Sequence, residues 1–285
     1  MAGALAAGVV TTVGDAQRQN ELGFDVPPGY IQQRTGELTI LAPASASERT
    51  PCIYGFAPAR PSTGNLETDA EAAVVQVVVP GWRRLDDRHA AMRGTAAHGW
   101  PYAWYRAAFD GQWGGERQAV NAMALVLPAG PGQVHVVWGL GGISRCLLDD
   151  ATFEQLFHSL RPPAWVSDGG KAFARALVGT WRYTASAGLQ QLTFTADGHF
   201  ERGLGSRAQV GVMERTSATA SEGRFTVRDG ELALVPDHRP QSPDRYRARV
   251  YDEWFLGGWK RVLALYDGRS EPPLVIPYYR VDESR

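Results

Sequence analysis

The chain has 285 residues, 44% hydrophobic and 21% charged, which is the balance of a folded globular protein long enough for two cores. Its formal net charge of −1 supplies no field for collecting phosphates, so nucleic acid is excluded as a partner class. No run reaches the eighteen or so uncharged apolar residues of a membrane span, and the reading has no membrane-spanning segment.

Residues 1–21 read as a flexible N-terminus. The run Met1-Ala2-Gly3-Ala4-Leu5-Ala6-Ala7-Gly8-Val9-Val10 is apolar but has no Lys or Arg before Arg18, so it lacks the positive start of an export signal. Read as the tail of a truncated signal, it favours an exported, periplasmic or extracellular protein. Cys52 and Cys146 allow a single disulfide, as in an exported protein, and equally two buried thiols.

A first domain is expected over 22–165. Tyr30-Ile31-Gln32-Gln33 and Leu38-Thr39-Ile40-Leu41 flank a Gly turn as a hairpin, and Cys52–Phe56 is a further strand. Asn65 is placed to cap a helix carrying Leu66, Ala70, Ala73, Val74 and Val77, which Pro80-Gly81 ends. Three strands follow, Pro101–Phe109, Arg117–Leu127 and Gln133–Gly139, separated by Gly- and Pro-rich turns. A last helix, capped by Asp149 or Asp150, carries Phe153, Leu156, Phe157 and Leu160 on one stripe before Pro162-Pro163 stops it. Hairpin, helix, meander and helix in this order predict an α+β sandwich, an antiparallel sheet with two helices. The stretch Phe153-Glu154-Gln155-Leu156-Phe157-His158-Ser159-Leu160-Arg161-Pro162 resembles the closing helix of the PsbP/Mog1-like family. That resemblance implies a partner-binding or accessory module rather than a catalyst, and transfers no functional residue.

Residues 166–172 have the composition of a linker, and 173–285 read as an all-β second domain. Ala172–Val178 is short and apolar enough to plug one end of a barrel. Strands are expected at Leu189–Thr195, His199–Leu204, Val210–Thr219, Gly223–Val227, Glu231–Val235, Tyr246–Phe255, Trp259–Tyr266 and Leu274–Val281. Asp197-Gly198, Asp229-Gly230 and Asp267-Gly268 suit tight hairpin turns. So many antiparallel strands would leave two raw edges in an open sheet, and closure into a small up-and-down β-barrel removes them. Gly179-Thr180-Trp181 resembles the Gly-x-Trp signature of lipocalin-like (calycin) barrels. The resemblance implies that Gly179 and Trp181 seal the base and that an Arg from the last strand, Arg280, or Arg261 as the alternative, stacks on Trp181. The mid-chain Thr-Asp-Tyr motif of lipocalins is missing.

The functional reading is a non-enzymatic binding or accessory protein, with no cofactor and no metal. A small apolar ligand would meet Phe194, Phe200, Phe225, Trp254 and Tyr266 inside the barrel, where large side chains favour a filled over a hollow interior. A protein partner would meet Tyr102 and Trp104, which alternation places on one face of their strand. The rival reading is a hydrolase or isomerase built on Asp87 with His89 or His98 in a cleft, acid beside His being the raw material of a general base. A third reading makes the protein a structural component of an assembly. The six histidines show no spacing that puts two metal ligands on one face.

Overall fold

A computed structural model describes residues 22–45, 52–85, 91–113, 116–142, 151–163, 166–185, 188–205, 216–255, 258–267, 269 and 274–281. It is mostly β, 62% strand, with three helices and a closed eight-stranded antiparallel barrel. The N-terminal run 1–21 lies outside the described residues, as do Cys146, Asp86-Asp87-Arg88-His89 and the cap candidates Asp149 and Asp150. The chain divides into two compact units, and the division is not linear: the second takes Gly94–Trp100 in addition to Ser167–Arg285.

The first unit contains β1 (Tyr30–Thr35), β2 (Leu38–Pro43), β3 (Ile53–Pro61), α1 (Leu66–Ala73) and the two-residue β4 (Arg83–Arg84). Next comes β5 (Met92–Ala96), whose last three residues belong to the other unit, then β6 (Pro101–Trp113), β7 (Glu116–Gly130), β8 (Gln133–Gly142) and α2 (Ala151–Ser159). Its sheet runs β1-β2-β3-β8-β7-β6, every pair antiparallel, with β4 on β6. The Asn65 side chain caps α1 by accepting the Thr68 N–H at 3.0 Å, leaving fewer orphan donors at the helix start. Beyond Ala73 the helix widens into a π-helical turn, Val74–Val78. The buried Asp69 takes hydrogen bonds from Ser62 Oγ (2.6 Å) and Thr63 N (2.9 Å). Burial pushes its carboxyl upward, but these bonds outweigh it and the net shift is downward.

Strand alternation sorts the sheet into two apolar faces. Ala103, Tyr105, Ala107 and Phe109 of β6 cluster with Ala70, Ala73 and Val74 of the α1 segment. The opposite face meets α2: Phe153 packs 6.5 Å from Tyr54 and 6.4 Å from Trp104, and Phe157 meets Tyr102 edge-on at 5.0 Å. A sheet apolar on both sides has to be covered on both, which is what the Phe153/Phe157 stripe of α2 achieves on this one. Cys52 is disulfide-bonded.

The second unit holds α3 (Lys171–Leu177) and β9 (Gly179–Ala185), β10 (Gly188–Phe194), β11 (His199–Gly205), β12 (Thr216–Arg228), β13 (Glu231–Pro236), β14 (Asp244–Phe255), β15 (Gly258–Asp267) and β16 (Leu274–Arg280). Each strand pairs with the next, and β16 returns to β9 through Arg280↔Trp181 and Tyr279↔Arg182, closing the barrel. Of the stretches expected as two strands, Val210–Thr219 and Gly223–Val227, residues 210–215 lie outside the described residues, and the rest join in the single long β12; nothing between 216 and 228 supplies a turn. Asp229 and Gly230 make the β12–β13 turn with φ of 50° and 79°, the left-handed pair that a two-residue hairpin needs.

Two features of this unit depart from the linear reading. β13 pairs with β14 only along Asp244–Arg247, and the next stretch of that edge is taken by β5: Arg249↔Ala96, Val250↔Thr95 and Tyr251↔Gly94, continued by Ala97 N–H to Ala248 O at 3.0 Å. A strand from the middle of the chain thereby covers hydrogen-bonding groups that the short β13 leaves open. The stretch expected as a linker is also structured. Ser167 Oγ donates to His98 O, and the Asp168 carboxylate accepts the Ala172 N–H at 2.6 Å in the first turn of α3. Gly99 turns here at φ +85°, and a Cβ on it would lie 1.8 Å from Asp168 Oδ1.

Candidate functional site

The two ends of the barrel differ in chemistry. At one end α3 enters the core: Phe173 and Leu177 are fully buried among Trp181, Leu192, Phe194, Phe200, Leu232 and Leu263. Trp181 is itself fully buried, its Nε1–H donates to Leu177 O at 2.7 Å, and the Arg280 guanidinium lies 5.4 Å above its ring. Gly179 makes room for this stack, because it sits at φ +129° and a Cβ there would be 2.5 Å from Arg280 Nη2. Arg261 takes no part; its nearest acid is Asp252 at 4.0 Å on the β14–β15 hairpin.

Above this floor the inward positions turn polar. Residues of the same parity as Trp181, Phe194, Phe200, Ala248 and Val250 include Tyr183 on β9, Gln190 on β10, Arg202 on β11 and Asp244 and Tyr246 on β14. Tyr278 on β16 joins them, its hydroxyl donating to Gln190 Oε1 at 2.8 Å and its ring tilted against Tyr183 at 5.6 Å. Arg202 Nη1 reaches Asp244 Oδ2 at 3.1 Å, and Arg239 approaches the same carboxylate at 2.9 Å. The barrel order makes these contacts informative. β11 and β14 are separated by β12 and β13, and β10 and β16 by β9, so the first bond reaches past two strands and the second passes over the inner face of β9.

Tyr278 is 3% exposed, and its phenol is pushed up to about 12, chiefly by burial; the nearby Arg202 pulls it down, while Tyr246 and Tyr183 push it further up. It is therefore a neutral donor at ordinary pH. The Arg202 and Asp244 side chains are 22% and 21% exposed, at the transition from lumen to solvent. This end of the barrel thus has an apolar floor, the buried Tyr278 bonded to Gln190 beside Tyr183, and a charged rim.

Of the five residues expected in the lumen, the fold gathers three. Phe194 and Phe200 are buried in the floor, and Phe225 is edge-on to Phe194 at 5.2 Å. They are packed against α3, so the floor is filled. Tyr266 alternates with the inward Leu263 and Leu265 and so takes the other side of the wall. Trp254 has inward parity, but it lies on the β14–β15 hairpin beyond Tyr251, the last residue of β14 paired on its other side. Trp254 is 51% exposed on the hairpin end, edge-on to Trp259 at 5.7 Å. Tyr102 and Trp104 do share a face, as alternation demands, yet that face is the one α2 covers. At 1% and 2% exposed they are core residues, not a surface for a partner. The polar residues Gln190, Arg202, Asp244 and Tyr278 are not marked by large apolar side chains; their spacing of two or four from Phe194, Phe200, Ala248 and Arg280 is the sequence signal they carry.

Of the acid/His candidates, Asp87 and His89 lie outside the described residues. His98 is in the second unit with its ring against Gly230, where a Cβ would lie 2.1 Å from its Nε2, away from the tyrosine-lined end. Among the described residues no three His, Cys, Asp or Glu side chains are grouped to hold a metal ion, and no helix is long and apolar enough to cross a membrane. No family model matches the chain, and no curated protein matches it.

Proposed function

We propose that the chain is a non-enzymatic binding or accessory protein whose lipocalin-like barrel accepts one small ligand with a largely apolar body at its tyrosine-lined end. The observation that carries this reading is the convergence of side chains from β9, β10, β11, β14 and β16 within the lumen, above a packed floor and opposite a sealed base. Convergent polar groups over an apolar wall are the usual composition of a small-molecule site. The first unit, an antiparallel sheet with α1 on one face and α2 on the other, is in keeping with a PsbP/Mog1-like α+β sandwich that engages a partner through a surface other than Tyr102 and Trp104.

The test is a fluorescence titration with a neutral aromatic probe, 2-naphthylmethanol, on the wild-type chain and on Ile276→Trp, in which the larger ring occupies the lumen beside Tyr278. Saturable binding that weakens by roughly tenfold or more in the variant is expected. Absence of saturable binding to the wild type by this probe and by its carboxylate analogue removes the reading.

A further inference from the structure

We infer that the two exposed indoles of the β14–β15 hairpin, Trp254 and Trp259, are a docking point for a zwitterionic phospholipid surface, entered only to headgroup depth. The pair lies at the sealed end of the barrel and needs no ligand in the lumen, so the inference stands apart from the binding reading above.

Strand register brings the indoles together. Trp254 and Trp259 pair across the hairpin, and their rings meet edge-on at 5.7 Å. They are 51% and 49% exposed, and neither indole N–H donates to another group among the described residues. The other large rings of this unit, Trp181, Phe194 and Phe200, are packed away in the core, so these two stand out. An apolar body with a free N–H is the side chain that collects at the boundary between hydrocarbon and water.

The hairpin sets them where a flat surface can reach. β14 is paired on both sides only as far as Tyr251, opposite Gly94, so Asp252, Glu253 and Trp254 run on with β15 as their one paired strand among the described residues. The pairs Arg280↔Trp181 and Val262↔Tyr279 put this projection at the sealed end. The same open edge limits the depth of entry. Backbone groups of 252–254 that lack a strand partner have to stay with water, which confines insertion to the indoles themselves.

Charge selects the kind of surface. Behind the indoles two bases stand opposite two acids, Lys260 across from Glu253 and Arg261 across from Asp252, the latter pair 4.0 Å apart. Arg280 of β16, beside Arg261, is turned onto Trp181. The remaining charged groups of this end also come in both signs: Lys171 and Arg175 with Asp168 at α3, Arg224 with Asp197, and Arg228 with Asp229. So mixed a set builds no strong field toward a single-signed surface. It complements a headgroup that itself carries both signs, with Lys260 and Arg261 reaching the phosphate and Asp252 and Glu253 the ammonium.

The experiment is cosedimentation of the full chain with vesicles of phosphatidylcholine, and with vesicles of equal parts phosphatidylcholine and phosphatidylglycerol. It compares the wild type with Trp254→Ser, Trp259→Ser, the double variant, and Leu85→Ser, which removes an exposed apolar side chain of the first unit. Far-ultraviolet circular dichroism melts confirm that each variant folds, and the single variants decide the matter if the double variant does not. Wild type and Leu85→Ser are expected to bind both vesicle types with affinities within about threefold of each other, and the double variant roughly tenfold or more weakly. Phosphatidylcholine brominated high on its acyl chains should quench part of the tryptophan emission of the wild type and none of that of the double variant. No cosedimentation of the wild type, binding that survives in the folded double variant, or binding confined to the phosphatidylglycerol vesicles overturns the inference. A wild-type dimer by sedimentation velocity that the double variant turns to monomer, without vesicle binding, overturns it too and gives the indoles to a second copy of the chain.

Discussion

Phe173→Ala is the sharpest check on how the barrel is sealed. Phe173 is fully buried on α3, within the same cluster as Leu177, Trp181, Phe194 and Phe200. The strands around it are closed on themselves and cannot collapse far into a vacated space. A residual cavity of about 80 Å³ at ~24 cal/mol per Å³ contributes roughly 2 kcal/mol, and the lost transfer of the ring brings the total to about 3–5 kcal/mol. With a urea dependence of about 2 kcal/mol per molar, the midpoint for the barrel should fall by roughly 2 M. The assay is urea unfolding followed by near-ultraviolet circular dichroism, which senses the fixed environment of the buried Trp181. Lys171→Ala, at an exposed position of the same helix, serves as the control and should stay within about 0.5 kcal/mol of wild type. A loss below about 1 kcal/mol for Phe173→Ala, or an equal loss in the control, would refute the account of α3 as a plug.

Two further outcomes follow from the second unit. A fragment beginning at Ser167 lacks Gly94–Trp100 and so exposes the stretch of β14 around Arg249–Tyr251; it should self-associate by light scattering, and a peptide of residues 92–100 should return it to a monomer. The phenol of Tyr278 is raised to about 12 in the fold, against about 10 for an unfolded tyrosine. Because the folded value is the higher, its contribution is complete below pH ~10 and is lost as pH rises through about 12. Stability of the barrel should therefore fall across that window by about 2 kcal/mol more in the wild type than in Tyr278→Phe, and an identical pH dependence in the two proteins would remove Tyr278 from the buried set.

Some of this protein is legible residue by residue. Asn65 announces its cap because a short polar side chain before an apolar periodic run has one local use. Phe153, Leu156, Phe157 and Leu160 announce a buried helix face, since only a 3.6-residue repeat brings them together. Gly179, Trp181 and Arg280 lie together at the sealed end, where the missing Cβ, the large ring and the cation are complementary in shape. These are cases in which local geometry and periodicity carry the information.

The rest depends on which surfaces meet. Alternation put Tyr102 and Trp104 on one face but could not say that α2 would cover it. Parity aimed Trp254 inward but could not say how far β14 outruns the wall. No pattern in residues 94–100 marks them as part of a barrel that begins seventy-odd positions later; that pairing exists because the edge of β14 is unsatisfied and Gly94–Ala97 lies within reach of it. The polar layer of Gln190, Arg202, Asp244 and Tyr278 is likewise a product of closure. Its bonded partners are up to 88 positions apart, on strands that do not pair with each other, and Tyr278 meets Gln190 because the sheet curls until its first and last strands join. The sequence by itself determined periodicity, caps, turns and the residues able to seal a barrel, because these are settled by neighbours along the chain. Which faces are covered, which strand completes the β14 edge and which side chains share the lumen were decided by tertiary structure, because they follow from hydrogen-bonding edges and apolar faces finding partners across long separations.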